Sequence, residues 1–119
     1  MGDVEFVFWD FGGQVWFREI IPKLMQNASI IVVVFDLSRV NTLMSIPEFW
    51  RNKIIEICGK ETPVILVGNK LDIKKISDDI INDAIQRLKK EISIIDYVQT
   101  TIKDRNTVIN LFNKIFSIM

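Results

Sequence analysis

The sequence predicts an α/β domain: a mostly parallel sheet flanked by helices. Short β-branched or aromatic runs fall at residues 4–9, 29–35, 63–67 and 94–98, and segments with helical spacing separate them. Strands that alternate with helices are joined by crossovers, and crossovers make strands parallel. Two of the runs also deliver polar loops to one rim, the place where open α/β sheets bind ligands.

The first run, Val4-Glu5-Phe6-Val7-Phe8-Trp9, leads straight into Asp10-Phe11-Gly12-Gly13-Gln14. Two adjacent glycines allow close backbone approach to a phosphate, and the Gly13 amide can donate to one of its oxygens. Asp10 is then placed to hold magnesium through water, and Gln14 to orient an attacking water. A plain turn after a strand is the competing reading of the glycine pair. Residues 17–26, which include Pro22, form a short, irregular helix candidate, and Trp16 and Phe17 are either exposed for a partner or packed against the helix over 41–58.

The second run, 29–35, precedes a helix over 41–58 that is interrupted or restarted at Pro47. Phe49, Trp50, Ile54 and Ile57 form its apolar stripe, and Gly59 is its stop signal. The third run continues as Val64-Ile65-Leu66-Val67-Gly68 into Asn69-Lys70-Leu71-Asp72. Such a loop can read guanine. The two acceptor oxygens of Asp72 match the two adjacent donors on guanine's pairing edge, whereas adenine lacks that donor pair. Lys70 can lay its aliphatic stem over the base, and the Asn69 amide can tie neighbouring loops together while reaching the imidazole side of the base. Ser77 caps a helix reaching about residue 91, with Ile81, Ala84, Ile85 and Leu88 on the core face. After the fourth run, a last helix over 104–119 places Val108, Leu111, Phe112, Ile115 and Met119 on its core stripe. Asp36, at the end of the second run, shares the rim with Asp10 by topology rather than as a catalytic partner.

Composition narrows the function classes. The chain has 119 residues, 49% of them hydrophobic, which suits one folded domain rather than a disordered segment. Fifteen basic and fifteen acidic residues give zero net charge, so nucleic acid is not an expected partner. With no histidine, histidine catalysis and histidine metal sites are excluded. No run is long and apolar enough to span a bilayer, and no signal-peptide pattern opens the chain, so a cytoplasmic location is expected. Cys58, the lone cysteine, reads as a structural thiol, and from the terminal Phe116-Ser117-Ile118-Met119 no prenyl anchor is expected.

Asp10-Phe11-Gly12-Gly13-Gln14 followed by Gly68-Asn69-Lys70-Leu71-Asp72 resembles the second switch and the guanine-specificity loop of Ras-superfamily small GTPases. Trp9 with the Asp-x-Gly-Gly-Gln form is similar to the Arf branch, whereas Val34-Phe35-Asp36-Leu37-Ser38 with Phe49-Trp50 looks closer to Rab chains. Gln99-Thr100-Thr101-Ile102-Lys103 stands where the family has Glu-Thr-Ser-Ala-Lys. By this resemblance Thr101 braces the specificity carboxylate, Ile102 offers its amide to the guanine oxygen, and the Lys103 stem covers the base. The implied ligands are GTP or GDP with magnesium. The implied partners are effectors and regulators at the switch surface. The implied activity is GTP hydrolysis as a molecular switch, with Gln14 catalytic, Asp10 at the metal, and Gly13, Asn69, Lys70, Asp72, Thr101, Ile102 and Lys103 on the nucleotide.

No Gly-x-x-x-x-Gly-Lys-Ser/Thr occurs in the sequence. The expectation is therefore an incomplete small-GTPase (P-loop NTPase) domain across 1–119, running from the second switch to the last helix and hydrolysing GTP poorly by itself. The alternative is a non-catalytic pseudo-GTPase that binds proteins. In the family a further strand lies between the strand leading to Asp10 and the strand at 29–35. Without it a gap or two apolar edges would result, and self-association is expected.

Overall fold

The computed structural model describes residues 6–10 and 30–118. Among these, four strands form one parallel sheet in sequential order: β1 (Phe6–Asp10), β2 (Ile30–Asp36), β3 (Val64–Asn69) and β4 (Ile94–Gln99). The fold class is α/β, as the alternation of runs requires. Between β2 and β3 lie α1 (Val40–Ser45), a π-helical segment (Ile46–Trp50) and α2 (Arg51–Cys58). Helix α3 (Asp78–Lys89) joins β3 to β4, and α4 (Arg105–Ile118) follows β4.

The period of two along the strands sorts side chains onto two faces. Ile31, Val33 and Phe35 of β2 and Val64 and Leu66 of β3 pack with Leu43, Ile46, Trp50 and Ile54 and with the α3 stripe Ile81, Ala84, Ile85 and Leu88. On the other face, Ile30, Val32, Ile65, Val67 and Val98 meet Leu111 and Ile115 of α4. β2 and β3 are covered on both faces, which explains their unbroken apolar runs.

The helix boundaries have local causes. Pro47 lacks an amide hydrogen and falls in the π-helical segment, where the α-helical ladder is interrupted. Gly59 ends α2 at φ +85°, a conformation other residues rarely adopt. The Ser77 hydroxyl accepts from the Ile80 amide at 3.3 Å, capping α3, while Asp78 and Asp79 in its first turn and Arg87 and Lys89 in its last suit the helix dipole.

Two expectations are corrected. Phe112 is 40% exposed rather than core, because Leu111 and Ile115, one turn apart, take the sheet-facing line of α4, and Phe112 is rotated about 100° away from Leu111. The expected gap beside β1 is also not there. β1 pairs directly with β2 from Phe6 opposite Ile30 to Asp10 opposite Val34. Pairing satisfies main-chain groups that an open edge would leave without partners. Expected self-association rested on a gap or two apolar edges; the gap is closed, and the edges of the described sheet are β1 and β4. Residues 17–26, with Trp16, lie outside the described residues.

Candidate functional site

The site is built where β2, β3 and β4 end side by side. Asp36 stands opposite Asn69, and Gly68 opposite Gln99, so the three following loops leave the sheet at one level. Main-chain bonds lock them together: Thr100 N donates to Gly68 O at 2.8 Å, Leu71 N to Thr100 O at 3.0 Å, and Leu37 N to Asn69 O at 2.9 Å. Gly68 makes this close approach possible, since a Cβ there would lie 2.8 Å from Leu37 Cδ2 and 2.8 Å from the Tyr97 hydroxyl.

Side chains repeat the cross-loop connection. The Thr101 hydroxyl donates to Asp72 Oδ1 at 2.7 Å, and Lys103 Nζ stands 3.2 Å from Asp72 Oδ2. Both oxygens of the carboxylate are thereby oriented from the β4 side. The Thr101 bond first, and then Lys103, outweigh burial and hold the Asp72 carboxyl below its ordinary value, so it is an anion and an acceptor at neutral pH. The Thr101 hydroxyl also accepts from Lys103 N at 3.2 Å, which fixes the loop that carries Ile102. Ile102 is 89% exposed, so its branched side chain projects outward and does not fill the loop.

Lys70 has φ +64° and ψ +43°, left-handed values that cost a non-glycine residue free energy. Asp72 and Leu71 continue into a 3-10 turn, Leu71–Ile73. The Lys70 ammonium lies 3.0 Å from Asp36 Oδ2. Asp36 Oδ1 accepts from Ser38 N at 2.8 Å and from the Ser38 hydroxyl at 2.6 Å. Burial alone would raise the Asp36 carboxyl, but Ser38 and Lys70 together bring it below its usual value.

The structure therefore brings together Asn69, Lys70, Asp72, Thr101, Ile102 and Lys103. Asp10 ends β1, two positions short of the level of Asp36, because Asp10 pairs with Val34. Gly13 and Gln14 lie outside the described residues. Three contributors went unassigned in the sequence. Thr100 donates from its hydroxyl to Asn69 Oδ1 at 3.0 Å; its place between Gln99 and Thr101 at a strand end was the available signal. Asp36 holds Lys70, as its position at the tip of the neighbouring strand allows. Thr107 accepts from Thr101 N at 3.0 Å and donates to Asp104 O at 2.7 Å; nothing local in the sequence signals this clasp.

Chemically, this rim presents a carboxylate oriented by a hydroxyl on one oxygen and an ammonium on the other, with a second ion pair, Lys70 to Asp36, beside it. In open parallel α/β sheets the rim beyond the strand ends is where ligands bind. The model of the Ras family matches residues 2–119, and the chain belongs to that family, whose members are GTP-binding small GTPases that take GTP or GDP with magnesium.

Proposed function

We propose that the paired loops Asn69–Asp72 and Thr101–Lys103 read guanine, and that the chain serves a GTP-driven switch located in the cytoplasm. The observation that carries this is the Thr101-to-Asp72 hydrogen bond at 2.7 Å, joined across the loops by Lys103 at 3.2 Å from the other oxygen. Two loops separated by 29 positions converge on one carboxylate, which a chance polar turn does not require. Asp72 accepts from the two guanine donors, the Ile102 amide donates to the guanine oxygen, and the stems of Lys70 and Lys103 cover the ring.

In this reading Asp10 serves magnesium, Gly13 donates to the terminal phosphate, and Gln14 orients water. Among the described residues no three acids or cysteines gather to hold a metal. Magnesium at phosphate sites takes one or two carboxylates and completes its shell with phosphate and water, so a single carboxylate at the end of β1 fits its chemistry. Bound magnesium would neutralise charge on the phosphates. These residues by themselves, with no Gly-x-x-x-x-Gly-Lys-Ser/Thr, hydrolyse GTP poorly in this proposal.

Asp72→Asn tests the base assignment. An asparagine opposes its amide donor to guanine's amino group but can donate that hydrogen to xanthine, which carries a carbonyl at the same position. Affinity should move from GDP towards xanthosine diphosphate, read by calorimetric competition with ADP as control. Equal binding of GDP and ADP by the wild-type chain would refute the assignment. A second arm supplies a phosphate-loop segment in trans and compares single-turnover hydrolysis by Gln14→Leu. A slowed rate at unchanged affinity supports the switch; an unchanged rate supports a non-catalytic interaction module.

A further inference from the structure

We propose that Asp36 is a positioning residue for base binding: it anchors the Lys70 ammonium so that the Lys70 stem is preset to cover the base. The inference rests on the guanine-reading assignment above and adds a residue from a different strand to it.

Three observations converge. The Asp36 side chain is only 14% exposed and sits at the tip of β2, in register with Asn69, the residue before Lys70. One oxygen is held by both the amide and the hydroxyl of Ser38, which turns the other towards Lys70 Nζ at 3.0 Å. The β2 tip is itself fixed, since Asp36 N donates to the Thr42 hydroxyl at 2.9 Å. Lys70, by contrast, is 53% exposed and flexible by nature, and its backbone occupies a left-handed conformation. A four-carbon stem with a free ammonium would sample many rotamers and lose them on covering a base. Tying its end to a carboxylate removes that cost before the base arrives, which is preorganisation rather than a new contact with ligand.

Asp36→Asn isolates the effect. The asparagine keeps Oδ1 for Ser38 and replaces the charged partner of Lys70 by a neutral group. With GMP and AMP as probes, followed by amide chemical shifts, wild-type protein should prefer GMP. Asp36→Asn should weaken both nucleotides by about threefold, the scale of one partly exposed ion pair, and leave their ratio unchanged, since Asp72 sets the ratio. In a Lys70→Met background, which keeps the stem and deletes the charge, Asp36→Asn should cause no further loss. A purely structural role for Asp36 would persist in that background and would overturn the proposal, as would unchanged affinity in the single variant. If wild-type protein binds GMP and AMP equally, the base-reading assignment fails and this inference with it. Should Asp36→Asn not fold, carbon relaxation at Lys70 Cε in the wild-type chain decides: an ordered methylene supports the anchor, and a freely rotating one overturns it.

Discussion

Gly68→Ala should destabilise the fold although glycine in a strand is ordinarily a weak residue. The added methyl would lie 2.8 Å from Leu37 Cδ2, 2.9 Å from Leu37 Cγ and 2.8 Å from the Tyr97 hydroxyl. Carbon atoms in comfortable contact stand about 3.5–4.0 Å apart, so a neighbour must give by about 0.7 Å. Leu37 has little room, being fully buried, with its amide bonded to Asn69 O and its carbonyl accepting from Lys75 and Ile76. Overpacking of this kind costs about 1–3 kcal/mol. Alanine recovers about 0.4–1 kcal/mol by restricting the unfolded chain. At mid-range the overpacking cost is the larger, leaving a net loss of about 1.3 kcal/mol, at most about 2.6, and a fall in Tm of about 4 °C for each kcal/mol. Urea unfolding followed by circular dichroism measures it, with an unchanged m-value expected. Tyr97→Phe removes the crowding oxygen, so the penalty of Gly68→Ala should shrink in that background by about 0.5 kcal/mol or more. A variant as stable as wild type, or strict additivity with Tyr97→Phe, would refute the packing argument.

Thr101→Val keeps volume and deletes the hydroxyl that braces Asp72; the Asp72 carboxyl should then titrate closer to its ordinary value, and GDP affinity should fall several-fold, whereas Thr101→Ser should retain both. Carboxyl-carbon NMR and calorimetry read the two effects. Asp36 and Asp72 both have native values lowered below 3.8, so their contribution to stability is complete above the unfolded value and disappears as pH falls through the native ones. Acid unfolding of Asp36→Asn should accordingly show a smaller loss of stability below about pH 4 than wild type. Burial raises the Cys58 thiol above its usual range, so alkylation by iodoacetamide at pH 8 should be slower than that of a free thiol; equal rates would contradict the burial.

The local elements were legible because their signals are local. The spacing of Ile81, Ala84, Ile85 and Leu88 defines a helix face without reference to anything else, and all four are buried as that spacing requires. Gly59 and Ser77 mark helix ends through backbone conformation and capping, which act within a few residues. Asn69-Lys70-Leu71-Asp72 was recognisable as a rim loop because an apolar strand precedes it. Helix α4 shows where this reasoning stops: periodicity admits both Leu111 and Phe112 to a stripe, and only the position of the sheet decides that Leu111 takes the inner line.

The sequence by itself determined the α/β class, the helix faces and the identity of the residues at the rim. Tertiary structure alone decided that β1 lies directly against β2, that Thr100 meets Asn69 across 31 positions, and that Asp36 holds Lys70. The physical reason is that strand register, not composition, sets which strand ends stand at the same level. Hydrogen bonds and ion pairs between such ends form only after the sheet has assembled, and no local propensity encodes them.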